Sequence, residues 1–118
     1  MTADQSRRVM SAYFDALEAG RFAQFFTEDV VWTTIQGDTH INGPEAVQDA
    51  INILHARLHD LRTRQLIFAE SAAYIEGSGA DALGESRIAY CVAYDLVGER
   101  IGAMRAYGDI ADFMPIQG

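Results

Sequence analysis

Apolar residues in the first third of the chain recur at helical spacing. Val9, Met10, Tyr13, Phe14 and Leu17 fall on one face of a helix. Thr2 and Gln5 have the spacing of a capping box, so the helix starts there. Gly20 stops it, because glycine takes the left-handed backbone conformation without steric cost. Residues 21–27 read as a second, short helix that turns Phe22, Phe25 and Phe26 towards the core. Residues 30–35 are β-branched and aromatic and read as a strand, broken at Gly37 and Asp38. Pro44 opens a third helix at a position whose amide has no intrahelical partner. That helix places Val47, Ala50, Ile51, Leu54 and Leu58 on one side and Gln48, Asn52, His55 and His59 on the other.

From Leu61 onward the period changes to two. Residues 61–69, 72–79, 85–96 and 100–110 read as four strands, with turns at 70–71, 79–84 and 97–99. In the third of these, Ile88, Tyr90, Val92, Tyr94 and Leu96 share one face, and Arg87, Ala89, Cys91, Ala93 and Asp95 share the other. One bulky apolar face and one of mostly small residues predict a strand covered on both sides. In a chain of 118 residues the helices can cover one side of such a sheet. A second copy is expected on the other, giving a homodimer through the sheet.

Composition narrows the class of function. The length fits one domain spanning residues 1–118, and 49% hydrophobic with 22% charged residues is ordinary for a globular chain. A net charge of −8 argues against nucleic acid and against an anionic membrane surface as partners. Cys91 is the only cysteine, so no intrachain disulfide forms and a reducing compartment fits. No signal-peptide run follows the first eight residues, and no stretch approaches the ~20 apolar residues of a membrane helix. A cytoplasmic protein is the expectation. The run Gly77-Ser78-Gly79 lacks the Lys-Ser/Thr ending of a phosphate loop.

Several segments, in order and spacing, carry a resemblance. They are Tyr13-Phe14-Asp15-Ala16-Leu17-Glu18-Ala19-Gly20, Phe26-Thr27-Glu28-Asp29-Val30-Val31-Trp32, Gly43-Pro44-Glu45-Ala46-Val47, and the closing run from Gly98 to Asp109. Together the chain resembles the nuclear transport factor two-like superfamily, in its SnoaL-like and ketosteroid-isomerase-like branch. The resemblance implies an α+β, cone-shaped, cystatin-like roll, in which a curved mixed sheet packs against three helices around an apolar pocket. It implies a small hydrophobic or carbonyl-containing ligand, no cofactor, and often a dimer. Activities in the branch include steroid isomerisation, polyketide cyclisation, dehydration, epoxide hydrolysis and plain ligand binding.

Each chemistry implies residues that can be checked. For a ketosteroid isomerase the oxyanion-hole tyrosine falls on Tyr13, the carboxylate base on Thr34 and the second acid on or near Cys91. A threonine hydroxyl is far too weak a base for that chemistry. For an epoxide hydrolase of the limonene type, the water-holding pair falls on Trp32 and Thr34, and the charged set on Gly77, Gly79 and Ala106, so it is absent. For a cyclase, Met104, Ala106 and Gly108 are the inward positions of the last strand, and Asp109 enters only if the register slips by one.

The candidates are therefore Tyr13 as oxyanion donor, Asp81 or Asp109 as base, and Trp32, Thr34, Cys91 and Met104 as ligand-binding wall. Each has a plainer alternative: Tyr13 and Trp32 as core, Asp81 as a turn residue, Cys91 as inert packing. His55 and His59 have metal-compatible i, i+4 spacing, but no glutamate stands between them and a solvated face is the expectation, with no metal. His40 reads as a loop residue that could rim the pocket. A non-catalytic ligand-binding or dimerisation module is the alternative to an isomerase, cyclase or dehydratase.

Overall fold

The computed structural model describes residues 2–113, apart from the side chains of 111 and 112. Met1 and residues 114–118, included in the single-domain reading, lie outside the described residues. The first helix, α1 (Ala3–Leu17), starts at the expected capping box. The Thr2 backbone amide donates to Gln5 Oε1 at 2.8 Å and the Gln5 amide donates to Thr2 Oγ1 at 3.2 Å. Gly20 follows its end with φ 73°.

The short second helix is a correction. Only one 3₁₀ turn, Ala23–Phe25, forms, and the first strand, β1 (Phe26–Thr34), already begins at Phe26. The turn ends where Phe26 enters the sheet, in register with Ile101. At its start, the amides of Phe22 and Ala23 both donate to Gln48 Oε1, at 2.7 and 2.9 Å, which caps the turn with a distant side chain. The architecture is two α-helices, not three, on a six-stranded sheet.

A short edge strand, β2 (Thr39–Asn42), follows the turn at Gly37 and Asp38 and precedes α2 (Pro44–Arg57). His40 belongs to this strand, with Nδ1 3.1 Å from Thr33 Oγ1, so it sits at the sheet edge and not on a pocket rim. The remaining strands are β3 (His59–Ala69), β4 (Ala72–Ala80), β5 (Arg87–Val97) and β6 (Arg100–Gly108). The order across the sheet is β2-β1-β6-β5-β4-β3, with β1 and β6 parallel and every other neighbour pair antiparallel. Register shifts interrupt β1–β6, β3–β4 and β5–β6. An extra residue in one strand bends it and increases its twist, which is how the sheet curls.

Both helices lie on the inner face of that curl. α1 packs over β3 and β4, and α2 over β1 and β2. Between them sits one core, including Met10, Tyr13, Phe22, Phe26, Trp32 and Met104. The β5 alternation holds: Val92, Tyr94 and Leu96 are buried on the inner side, while Tyr107 and Arg105 of β6 point outward beside Cys91 and Ala93. Burying the apolar face of one sheet under two helices is the simplest way for a chain of this length to make a core.

Candidate functional site

The helices do not fill the whole curl. A cavity of about 130 Å³ remains between α1, α2 and the inner face of β3–β5. Its floor is Tyr13, Trp32 and Tyr94, with Ile110 of the C-terminal 3₁₀ turn, and its mouth includes Leu61 and Thr63, both exposed. α2 lends Ile51, Leu54, His55 and Leu58. The wall is otherwise apolar.

Tyr13 is held by other rings. Phe22, Phe25, Phe26 and Tyr94 have centroids 5.7, 6.1, 5.8 and 6.1 Å from its own, in edge-on or tilted contacts. Such packing fixes the ring with little residual rotamer freedom. Its hydroxyl, and those of Tyr90 and Tyr94, make no hydrogen bond among the described residues. Nor are they sealed in: the buried side-chain polar atoms without a partner are Ser6 Oγ and Thr27 Oγ1.

Burial raises the Tyr13 pKa well above the usual value, and the nearby Tyr94 hydroxyl raises it further. Burial does the same for Tyr94 and Tyr90. The charged phenolate is disfavoured away from water, so all three remain protonated donors at any ordinary pH. Tyr90 owes its place to a glycine. A Cβ on Gly77, its register partner in β4, would lie 3.1 Å from the Tyr90 hydroxyl and 2.7 Å from the Arg62 carbonyl oxygen. Glycine at 77 lets the phenol lie against the strand, and glycine at 79 makes room for Leu58, whose Cγ a Cβ there would meet at 2.6 Å.

His55 is the site residue that sequence reasoning missed. It lines the cavity, partly buried, and burial pushes its pKa below the usual imidazole value, so the ring is neutral at pH 7. The pairing with His59 does not exist, because α2 ends at Arg57 and His59 opens β3, exposed. No group of three or more potential ligands among the described residues could hold a metal ion. The polar stripe of α2 is not the solvated face that its composition suggests. Gln48 binds the amides of Phe22 and Ala23, Asn52 Nδ2 donates to the Gly20 carbonyl at 3.0 Å, and His55 continues the line into the cavity. The signal that could have found it is chemical: the stripe is uncharged (Gln, Asn, His), whereas the exposed flank carries Glu45, Asp49 and Arg57.

The other candidates fall as follows. Trp32 forms part of the floor, but its indole N–H donates to Thr34 Oγ1 at 3.1 Å, so the two polar groups satisfy each other. Thr34 is fully buried beneath that wall. Met104 is also fully buried, opposite Trp32 and Tyr94 in register, as packing under the floor. Cys91 lies on the outer face, since it alternates with Tyr90 and Val92, which line the cavity. Asp81 sits in the turn after β4, where Oδ1 accepts from the Glu85 amide at 3.0 Å. Asp109 is exposed at the start of the last 3₁₀ turn, so the register has not slipped. No carboxylate among the described residues lines the cavity.

No model of a known protein family matches the sequence, and no curated protein matches it. The fold is nonetheless shared widely among solved structures. A ketosteroid isomerase candidate from Kribbella flavida superposes with a TM-score of 0.77 at 23% identity, covering 100% of this chain and 87% of its own. The chain has the nuclear transport factor two-like cone fold. An epoxide hydrolase from M. tuberculosis, described as LEH-like, superposes with a TM-score of 0.68 at 20% identity, over 93% of this chain and 86% of its own. A de novo designed protein with a curved β-sheet gives 0.77 at 15% identity, over 96% and 97%. An isomerase candidate, a hydrolase and a designed protein share the cone, so the fold alone selects no activity. No helix among the described residues is long and apolar enough to cross a membrane.

Proposed function

We propose that the cone binds a small, mostly apolar, uncharged molecule bearing a carbonyl group, as an isomerase-type site would. The observation that carries this reading is that three tyrosines, whose hydroxyls make no hydrogen bond among the described residues and whose pKa values are raised by burial, line a mostly apolar cavity with no carboxylate. A carbonyl oxygen satisfies such donors, and a carboxylic acid would bring a charge that the wall has no cation to meet. Size limits the ligand. An apolar cavity of ~150 Å³ holds one benzene ring, so about 130 Å³ encloses roughly one ring, and any larger ligand extends through the mouth at Leu61 and Thr63. A non-catalytic binding module is the competing reading.

Trp32 is the only tryptophan and lines the cavity, so its fluorescence reports occupancy directly. Cyclohexanone should perturb it more strongly than methylenecyclohexane, which has the same ring and no acceptor. In Tyr13→Phe the preference should shrink by about 2- to 10-fold, the worth of one net hydrogen bond. Equal response to both rings in the wild-type protein would remove the carbonyl from the reading.

The outer sheet face supports a second proposal, that it meets another copy of the chain. Ile67, Tyr74 and Tyr107 are exposed there. The charges among them are already paired, Arg105 with Asp95 and Arg64 with Glu76. Two such faces can meet without bringing unpaired charge together, although each chain carries −8. A solution mass near 13 kDa at micromolar concentration would rule this out.

A further inference from the structure

We infer that a groove on the outer face of β3–β5 binds the phosphate group of a small phosphate monoester. Arg62, Arg64, Glu76, Ser78 and Ala89 line it, around a hollow of about 260 Å³. Ser78 is the register partner of Ala89 and Glu76 of Cys91, both in the outer set of β5. The groove therefore opens away from the cavity, and the inference is independent of the carbonyl-binding reading. It also lies beside the apolar patch, because Arg62 pairs with Ser78, four residues along β4 from Tyr74 and ~13 Å away.

Three arginines converge there on two carboxylates. Arg87 Nη1 donates to Ser78 Oγ at 2.9 Å and to the Asp60 carbonyl oxygen at 3.2 Å, while its Nη2 donates to Asp60 Oδ2. Arg62 Nη2 donates to the same Asp60 Oδ2 at 2.9 Å. Arg64 Nη1 donates to Glu76 Oε1 at 2.8 Å. One positive charge is left over in the cluster. A guanidinium carries five N–H donors. Arg62 and Arg64 each use one of theirs on a carboxylate, which orients the fork and leaves the rest unpaired among the described residues. Ser78 Oγ accepts from Arg87, so its own hydrogen remains to be donated.

The donor set selects the anion. Arg62, Arg64 and Ser78 offer donors from three residues, which suits a group with three terminal oxygens better than a carboxylate with two. A phosphate monoester has three and is largely a dianion above its second pKa of about 6. The net charge of −8 opposes any anion at long range. Salt limits that opposition, since exposed charges are screened beyond about 8 Å at physiological ionic strength. An anion in the groove answers first to the near arginines, and the near carboxylates, Asp60 and Glu76, are already engaged by them. Those two carboxylates hold the affinity to the millimolar range.

The test titrates the intact, nitrogen-15-labelled protein with glycerol phosphate at about pH 7.5, where the ester is a dianion. Sodium chloride holds the ionic strength constant, and acetate and glycerol serve as comparison probes. Amide shifts should saturate in the millimolar range and centre on residues 62–64 and 76–78. Acetate should bind more weakly, and glycerol should leave these amides unmoved. Arg62→Gln and Arg64→Gln should each weaken binding by ~2- to 5-fold, the worth of one exposed ion pair. The double variant should lose saturable binding. Ser78→Ala should weaken the ester by about 2- to 10-fold, the worth of one net hydrogen bond. Arg105→Gln removes an outer-face cation of the same charge elsewhere, paired with Asp95, and should leave the affinity unchanged.

Shifts that never saturate, or saturable binding that survives in the double variant, would overturn the site. Equal affinity for acetate and the ester would overturn the phosphate assignment. An equal loss in Arg105→Gln would show that the protein senses overall charge and not this groove. None of these outcomes bears on cyclohexanone binding, which Trp32 fluorescence reads in the cavity.

Discussion

The two faces of the sheet come from the same strands and do opposite things with polarity. On the outer face, charges are present and paired: Arg105 meets Asp95 at 2.6 and 3.1 Å, and Arg64 meets Glu76 at 2.8 Å. On the inner face, among the described residues, every polar group at the cavity is neutral: phenols, an indole, a threonine hydroxyl, an imidazole. Water explains the division. An exposed ion pair keeps most of its hydration, whereas a charge in the cavity would lose it with no partner to compensate. Alternation along a strand thus sorts chemistry as well as hydrophobicity, and a cavity built from the inner set selects an uncharged ligand.

The largest test of this division is stability. Phe26 is 2% exposed and packs edge-on to Phe22 and beside Tyr13. Phe26→Ala should cost ~3–5 kcal/mol in urea unfolding, the transfer of the ring plus the void it leaves. Ile67, on the outer face, is 46% exposed. Ile67→Ala should cost about 1 kcal/mol or less, since half of its side chain is already in water. Equal losses would mean that the outer face is a second core, covered by a partner, and the comparison would have to be redrawn as two buried faces.

A sharper test concerns one hydrogen bond. The Trp32 indole N–H donates to Thr34 Oγ1, and both residues are buried. Thr34→Val keeps the β-branched shape and removes the oxygen. It should cost ~1–3 kcal/mol, because the donor is left buried and unpaired. It should also loosen the cavity floor, visible as a changed Trp32 emission before any ligand is added. Thr33→Val, one residue along and facing out, should do neither.

Much of this arrangement is legible in the sequence. The capping box of Thr2 and Gln5, the stop at Gly20, the period-two strands and the split of β5 into bulky and small faces all depend on local rules, and all are present in the fold. The departures share a physical cause, which is contact between distant segments. Residues 21–27 have a helical pattern, but Phe26 is taken into the sheet beside Ile101 and the helix is reduced to one 3₁₀ turn. Residues 39–42 are too few to show a period, and become a strand only because β1 offers an edge.

The site is less legible than the fold for the same reason. Tyr13 and Trp32 stand on elements whose inward face is fixed by periodicity. His55 stands on the flank of α2, and whether a flank faces water or a cavity depends on how far α1 lies from it. Asp81 and Asp109 have the right chemistry for a base, but their backbone positions in turns keep them out.

The smallest effect should come from the outer ion pair. The Asp95 carboxylate is the first cause of the raised Arg105 pKa, through its hydrogen bonds, yet the two side chains are 48% and 33% exposed. Water screens a pair so placed, and exposed pairs are typically worth ~0.2–1 kcal/mol. Asp95→Asn keeps the shape and one acceptor, so it should cost about 1 kcal/mol or less. The loss should shrink further in ~1 M salt, where screening acts within about 3 Å. Cyclohexanone binding should ignore both the substitution and the salt, since no ion takes part in the cavity. Salt-sensitive binding would show that charge reaches the inner face, and the division between the faces would fail at the point where it matters for function.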